Sequence, residues 1–329
     1  LTSVGHQGHV VVYVDSGSTD DSPALARRLG AVALELDTSR PFTAARARNV
    51  GFEYLTRHCP EVEFVQFVDA DCEVADDWLQ RAERELKLNP RLAAVCGRRR
   101  ERHPHSSLYN RLCDLEWDGP PGEATSFGGD VMIRASALRE AGGYNPSIIA
   151  AEDTELAVRL RLAGWHISRL DADMTRHDAA MTRLDQWWRR SIRAGHGFAE
   201  NCALHGHGPL RHYLHESRRI WFWGFLLPIV ALAFAWVTHG LTLLLLTAYV
   251  FAYRRALQAA RSRSWSENDA RLYARYCTWG KFPEALGQLV YWRNRLLGQS
   301  SRIIEYKAAA AYARRWPRAT TSATKQLAS

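Results

Sequence analysis

Phe64-Val65-Gln66-Phe67-Val68-Asp69-Ala70-Asp71 is the stretch that decides how this chain is read. A largely apolar run ends, without a gap, at two carboxylates one residue apart. The run predicts a buried strand, and the carboxylates fall just past its carboxyl end. Two hard oxygen donors at this spacing can share a divalent cation, directly or through water. Mg²⁺ or Mn²⁺ held there would in turn hold a diphosphate. Taken alone, the pair reads equally well as a solvated acidic turn.

Upstream, residues 10–14 form a second apolar run that stops at Asp15-Ser16-Gly17-Ser18. It predicts a strand ending in a turn. Ser22-Pro23 opens a helix to Leu29, residues 31–36 read as a strand, and Pro41 starts a helix through about Arg57. Downstream, Asp76 and Asp77 can cap a helix running to Leu88. Strands alternating with helices predict an α/β fold with a mostly parallel sheet and helices on both faces. Such sheets bind ligands beyond the carboxyl ends of their strands, which is where Asp15 and Asp69 fall. Residues 98–105, rich in arginine and histidine, are expected to be a mobile loop. Further on, a helix over 152–163 closes at Gly164. A strand over 165–170 and a helix over 185–200 follow.

Several positions could carry chemistry. Asp15 could accept from a nucleobase N–H, or simply close an Asx-turn. Glu152-Asp153 opens a helix whose dipole would keep Asp153 ionised, as a base that deprotonates an acceptor hydroxyl must be. The alternative is the ordinary acidity of a first helical turn. His177 could complete a metal shell as a neutral imidazole, or stand solvated in a loop. In Gln186-Trp187-Trp188-Arg189-Arg190 the arginines could neutralise a diphosphate and the indoles flank a sugar. Equally, the indoles could pack on the core.

The ordered series extends beyond any one of these. It comprises the turn at Asp15, Ala47-Arg48-Asn49-Val50-Gly51, Asp69-Ala70-Asp71, Gly128-Gly129-Asp130, Gly142-Gly143-Tyr144, Glu152-Asp153-Thr154-Glu155-Leu156, and His177. In this order and spacing, over about residues 8–200, it resembles the family-2 glycosyltransferases of the GT-A fold. The resemblance implies a metal-dependent, inverting transfer from a nucleotide-sugar, with a UDP-sugar as the default. It implies that Asp15 contacts the base, that Arg48 and Asn49 lie near the nucleotide, and that Asp69 faces ribose and metal. Asp71 would bind the metal with His177, Asp153 would be the general base, and Gly129 and Asp130 would lie where donor sugar meets acceptor. Three departures stand out. The family's first strand and helix are absent from this chain, the second Asp often found after Asp15 is Ser16, and the processive Q-x-x-R-W pattern here has Arg190 in its last place. A single sugar addition is therefore expected.

Composition qualifies the picture. The net charge is +8, yet residues 254–329 carry +11 and leave −3 for the rest. The catalytic part is not basic; the tail is. Six scattered cysteines, with no C-x-x-C pair, suggest free thiols rather than a zinc site or a disulfide framework. Residues 220–253 contain no Asp, Glu, Lys or Arg. As one straight helix they would span about 51 Å, too long for a single crossing. Thr238-His239-Gly240 divides them into pieces of 18 and 13 residues, flanked by Arg218-Arg219 and Arg254-Arg255. A membrane hairpin, spanning or re-entrant, with both ends cytoplasmic is expected; a buried core hairpin is the alternative. Residues 278–298 read as an interfacial helix. The chain thus divides into a nucleotide-sugar-binding catalytic domain (1–205), an apolar hairpin with interfacial helices (206–300) and a basic, disordered tail (301–329).

These features imply an enzyme at the cytoplasmic (inner) membrane, its catalytic domain on the cytoplasmic side, acting on a lipid-linked or polysaccharide acceptor of the cell envelope. The principal rival is a nucleotide-sugar-binding membrane protein without catalysis, which Asp71 and Asp153 argue against. Nucleic acid is not expected as a partner, because no nucleic-acid module is present. A dinucleotide oxidoreductase lacks its G-x-G-x-x-G.

Overall fold

The computed structural model describes Ser3, residues 9–299 and Ile304. Strands β1 (Val12–Asp15) and β2 (Val32–Glu35) pair in parallel across α1 (Ser22–Arg28) and form a ladder of their own. Helix α2 (Ala44–His58) starts where the Thr43 hydroxyl accepts from the Arg46 N–H, three residues after Pro41, because that hydroxyl satisfies an otherwise orphaned donor. The second sheet is built from β3 (Phe64–Phe67), β4 (Cys72–Val74), β5 (Leu92–Glu101), β6 (Gly122–Glu123), β7 (Val131–Arg134) and β8 (His166–His177). Its helices are α3 (Trp78–Leu88), α4 (Leu108–Trp117), α5 (Ala135–Glu140), α6 (Glu152–Leu162) and α7 (Leu184–His205).

The strand order is β3-β7-β5-β8-β4, with β6 added to β8. This corrects the expectation of a mostly parallel sheet. Within it β5 and β8 are the one parallel pair of neighbours, whereas β7 is antiparallel to both β3 and β5, and β4 and β6 are antiparallel to β8. Strand–helix alternation is strict only up to β3. Beyond it β4 follows after a tight turn at the acidic pair, with no crossover helix to keep it parallel. The core between sheet and helices is filled by Trp78, Leu86, Ile133, Leu138, Leu156, Leu160 and Ile167, all fully buried. Each such side chain contributes roughly 1.5–3 kcal/mol of burial, before the cost of ordering it. The Trp78 indole N–H donates to Gln66 Oε1 at 2.8 Å, so this largest core side chain is buried with its donor satisfied.

Beyond α7 the chain is helical. It runs through α8 (Leu214–Trp221), a π turn (Phe222–Leu226), α9 (Leu227–Ala233), a 3₁₀ segment (Leu241–Thr247), α10 (Ala248–Arg261), α11 (Glu267–Trp279) and α12 (Lys281–Leu296). Helix α12 lies along α7, and α11 is tied to α4 by a bidentate Arg111–Asp269 pair at 2.8 Å. The apolar run does reverse near Gly240, where φ is +87°. No helix among the described residues is long and apolar enough to cross a membrane. Helix α8, the π turn and α9 follow one another without a break, and the run is interrupted after Ala233, ahead of the reversal at Gly240. Its apolar side chains nevertheless face outward: Trp236 is 91% exposed, Val237 73% and Phe251 69%. The basic tail read from the sequence lies outside the described residues, Ile304 apart.

Candidate active site

Strand β3 delivers Asp69 and Asp71 to the edge of a cluster of charge. Asp69 is gripped by two arginines. Arg48 of α2 donates to its Oδ1 at 2.8 Å, and Arg99 of β5 to its Oδ2 at 3.1 Å. Burial works to raise the Asp69 pKa, but Arg48 and Arg99 outweigh it and hold the carboxyl below its usual range. Arg48 also donates to Glu152 Oε1 at 2.6 Å, which joins the acidic pair to the start of α6. Gly129 makes this packing possible. A Cβ there would stand 2.4 Å from Asp69 Oδ2 and 2.7 Å from Arg48 Nη2.

Asp130 is completely buried and serves as a brace. Its Oδ1 accepts from the Asp69 backbone N–H at 2.8 Å, and its Oδ2 from the Thr175 hydroxyl and from Arg99, both at 2.7 Å. It fixes Asp69 from beneath instead of opening toward a ligand.

His177 ends β8, and so is not in a loop. Its neighbours across the sheet are Cys72 of β4 and Glu101 of β5. Laterally paired residues share a face, so the three side chains form a row. His177 Nε2 lies 3.3 Å from Asp71 Oδ2, while Glu101 Oε2 stands 4.0 Å behind Nδ1. At 4.0 Å the Glu101 carboxylate acts on the imidazole through charge and not through a hydrogen bond. The Trp117 ring meets the imidazole edge-on at 4.7 Å. Donor atoms of Asp71, Cys72 and His177 all lie within 4.8 Å of one another, as do those of Asp69, Cys72 and Asp130. The first set fits a divalent cation better, because Asp69 and Asp130 already spend their charge on arginines.

Asp153 stands two residues after Ala151, which holds a left-handed φ of +60°, and sits in the first turn of α6 with Oδ1 accepting from the Thr154 N–H at 2.7 Å. Burial, then the neighbouring Glu152 carboxylate, push its pKa up to about 6, against the opposing pull of Arg48. The helix dipole alone would lower it, so the dipole is not what sets this group. Exposed Gly128 lies beside it; a Cβ there would be 3.9 Å from Asp153 Oδ2.

The remaining predicted positions fall around this centre. Asp15 closes an Asx-turn, with Oδ2 accepting from the Gly17 and Ser18 N–H groups at 2.9 Å each. Burial favours its protonated form, but those bonds and that of the Tyr13 hydroxyl hold its pKa below the usual value. The Asn49 amide donates to the Tyr144 carbonyl at 2.7 Å and accepts from the Tyr144 N–H at 2.8 Å, pinning the Gly142-Gly143-Tyr144 turn to α2. Arg190 pairs with Glu116 of α4 at 2.7 Å, one residue from Trp117, and Arg189 is exposed on the same turn of α7. Trp187 is 2% exposed and packs edge-on against Tyr276 at 4.8 Å, so this indole belongs to the core and is not open to a sugar.

Arg99 is the site residue that the sequence pattern hid. The expected mobile loop over 98–105 is, through Glu101, the last part of a ten-residue strand. Arg98 faces outward to Asp171 and Asp173, Arg100 faces Asp173, and Arg99 turns inward to Asp69 and Asp130. The period of two was present in the sequence, but charge on both faces disguised it as loop.

Comparison with known proteins gives this geometry a family. The family model described as "Glycosyl transferase family group 2" matches residues 64–259, more than half of the chain, and "Glycosyl transferase family 2" matches residues 1–122. The chain belongs to glycosyltransferase family 2. Within the family, glucomannan 4-beta-mannosyltransferase 7 of Arabidopsis thaliana is 29% identical over 151 residues, covering 43% of this chain and 27% of that protein. Glucomannan 4-beta-mannosyltransferase 9 of the same plant is 34% identical over 114 residues, 31% of this chain and 21% of that protein. The chain spans about a quarter of the length of these curated relatives. Among solved structures, the mannosyltransferase PcManGT from Pyrobaculum calidifontis, in complex with GDP-Man and Mn²⁺, superposes with a TM-score of 0.53. It is 20% identical and is matched over 87% of this chain and 78% of that one, a likeness of GT-A fold.

Proposed function

We propose that this chain moves one sugar from a nucleotide-sugar donor to an acceptor hydroxyl in a single inverting displacement, with Asp153 as the general base. The observation that carries the reading is Arg48. Its two bonds, to Asp69 at 2.8 Å and to Glu152 at 2.6 Å, hold the acidic pair and the base helix as one site. Asp153 takes the acceptor proton, the acceptor oxygen bonds to the anomeric carbon, and the bond from that carbon to the diphosphate oxygen breaks. Asp71 and His177 would hold a divalent cation, Mg²⁺ or Mn²⁺ by the family's pattern, which when bound neutralises charge on the leaving diphosphate. The family's pattern by itself favours a UDP-sugar. The mannosyltransferases among the relatives, and the GDP-Man bound to PcManGT, support GDP-mannose as the first donor to try.

The exposed apolar turn between α9 and α10 supports association with a membrane by insertion into one leaflet. In this reading the site faces the cytoplasmic leaflet, where a lipid-linked or polysaccharide acceptor is presented. Arginines flank the turn in sequence and suit an anionic surface.

Calorimetric titration of GDP-mannose and UDP-sugars, with and without Mn²⁺, tests the reading. One donor is expected to bind in a metal-dependent way, and Asp71→Asn to weaken it. Undiminished donor binding in excess chelator would remove the metal from the account.

A further inference from the structure

Cys72 is the one thiol that stands among the ligating groups of the site. It follows Asp71 directly, opens β4, and is the cross-strand partner of His177. Its Sγ lies within 4.8 Å of a donor atom of Asp71 and one of His177. It is 3.9 Å from Asp71 Oδ1. Among the described residues none of the other five cysteines joins a group of this kind.

The three donors differ in hardness. A carboxylate oxygen suits Mg²⁺ and Mn²⁺, but an imidazole nitrogen and a thiolate sulfur suit Zn²⁺, Co²⁺ and Cd²⁺. Three protein ligands with one position left over is also the composition of sites that bind a further oxygen ligand on such ions. A diphosphate oxygen could take that position here. Glu101 stands 4.0 Å behind the imidazole as a fixed negative charge: its Oε2 accepts from the Ala179 N–H at 2.8 Å, and its Oε1 from the Asn110 amide at 3.0 Å.

We propose that Cys72 is the third protein ligand of the cation held by Asp71 and His177, and that the site therefore takes a thiophilic divalent ion in preference to Mg²⁺. The thiol gives up its proton to solvent as the sulfur–metal bond forms, so binding through Cys72 releases one proton more than binding through the other two ligands alone. The inference rests on the metal reading above and sharpens it from an oxygen site to a mixed oxygen, nitrogen and sulfur site.

The test is optical and needs no turnover. The full chain is titrated with Co²⁺ alone, and its electronic spectrum recorded. Coordination is expected to give ligand-field bands in the visible together with an intense sulfur-to-cobalt charge-transfer band in the near ultraviolet. In Cys72→Ser, which keeps the size of the side chain, the charge-transfer band should vanish while ligand-field bands persist at higher Co²⁺. The apparent affinity should fall by about tenfold or more, with Mg²⁺ binding little changed. Ligand-field bands without charge transfer in the native chain would overturn the sulfur ligand and leave the metal reading standing. Survival of the charge-transfer band in Cys72→Ser would likewise overturn the sulfur ligand alone. No Co²⁺ spectrum at all, in native chain and variants alike, would overturn both.

Discussion

Asp153 has to be charged to act and sits where charge is disfavoured. Burial and the adjacent Glu152 raise its pKa to about 6, so its proton stays on to a higher pH than an ordinary carboxyl allows. The base is still mostly ionised at neutral pH and is lost as pH falls through that value. Donor turnover is therefore expected to drop about tenfold for each pH unit below roughly 6. In Glu152→Gln the like charge disappears and Arg48 is released to act on Asp153, so the acid limb should move to lower pH. A rate–pH profile that is flat from neutrality down to the carboxylate range would count against Asp153 as the base. How far these residues could be read from sequence varied with the kind of signal each one left. Asp69 and Asp71 were legible because an apolar strand stops at them. Asp153 and His177 were legible only as members of an ordered series. The Arg48 bridge was not, since it joins residues 104 apart in the chain.

Between elements, the same contrast holds. Strand–helix alternation located β1 to β3 and α1 to α3 to within a few residues, but it carries no information about strand direction, and the second sheet proved mixed. Helix α7 is readable from its pattern but runs past residue 200 to His205, where Gly206 closes it with its N–H donating to the Cys202 carbonyl at 2.8 Å. Its packing on α12 depends on small residues. A Cβ on Gly195 would stand 2.0 Å from the Glu284 carbonyl, and one on Gly287 2.0 Å from the Ile192 carbonyl. Backbone meets backbone there, and neither atom can swing aside. Gly287→Ala is expected to cost about 1–3 kcal/mol or more, because overpacking has to push α12 off α7. Equilibrium denaturation in urea measures this directly; an unchanged midpoint would mean the two helices part easily. Because α7 also carries Arg190 toward Glu116, donor affinity in the same variant shows whether the contact is felt at the site.

Taken together, the chain joins a charged site to a helical region whose apolar turn faces outward. The sequence showed that region as a long uncharged run and placed its break at Thr238-His239-Gly240; it did not show that, among the described residues, no helix of the run is long and apolar enough to cross a membrane. If the turn inserts into one leaflet, Trp236→Glu with Val237→Glu should abolish retention on anionic liposomes and leave donor binding unchanged. Retention of the double variant would place the membrane contact elsewhere, or remove it. The central claim concerns the site itself, that a nucleotide-sugar bound beside Asp69-Ala70-Asp71 reacts through Asp153. Nucleotide release from the donor, with its dissociation constant measured in parallel, tests that claim most directly in Asp153→Asn. The account predicts that turnover falls by about 10²–10⁴-fold while the dissociation constant stays within about twofold. Near-native turnover with intact donor binding would contradict it.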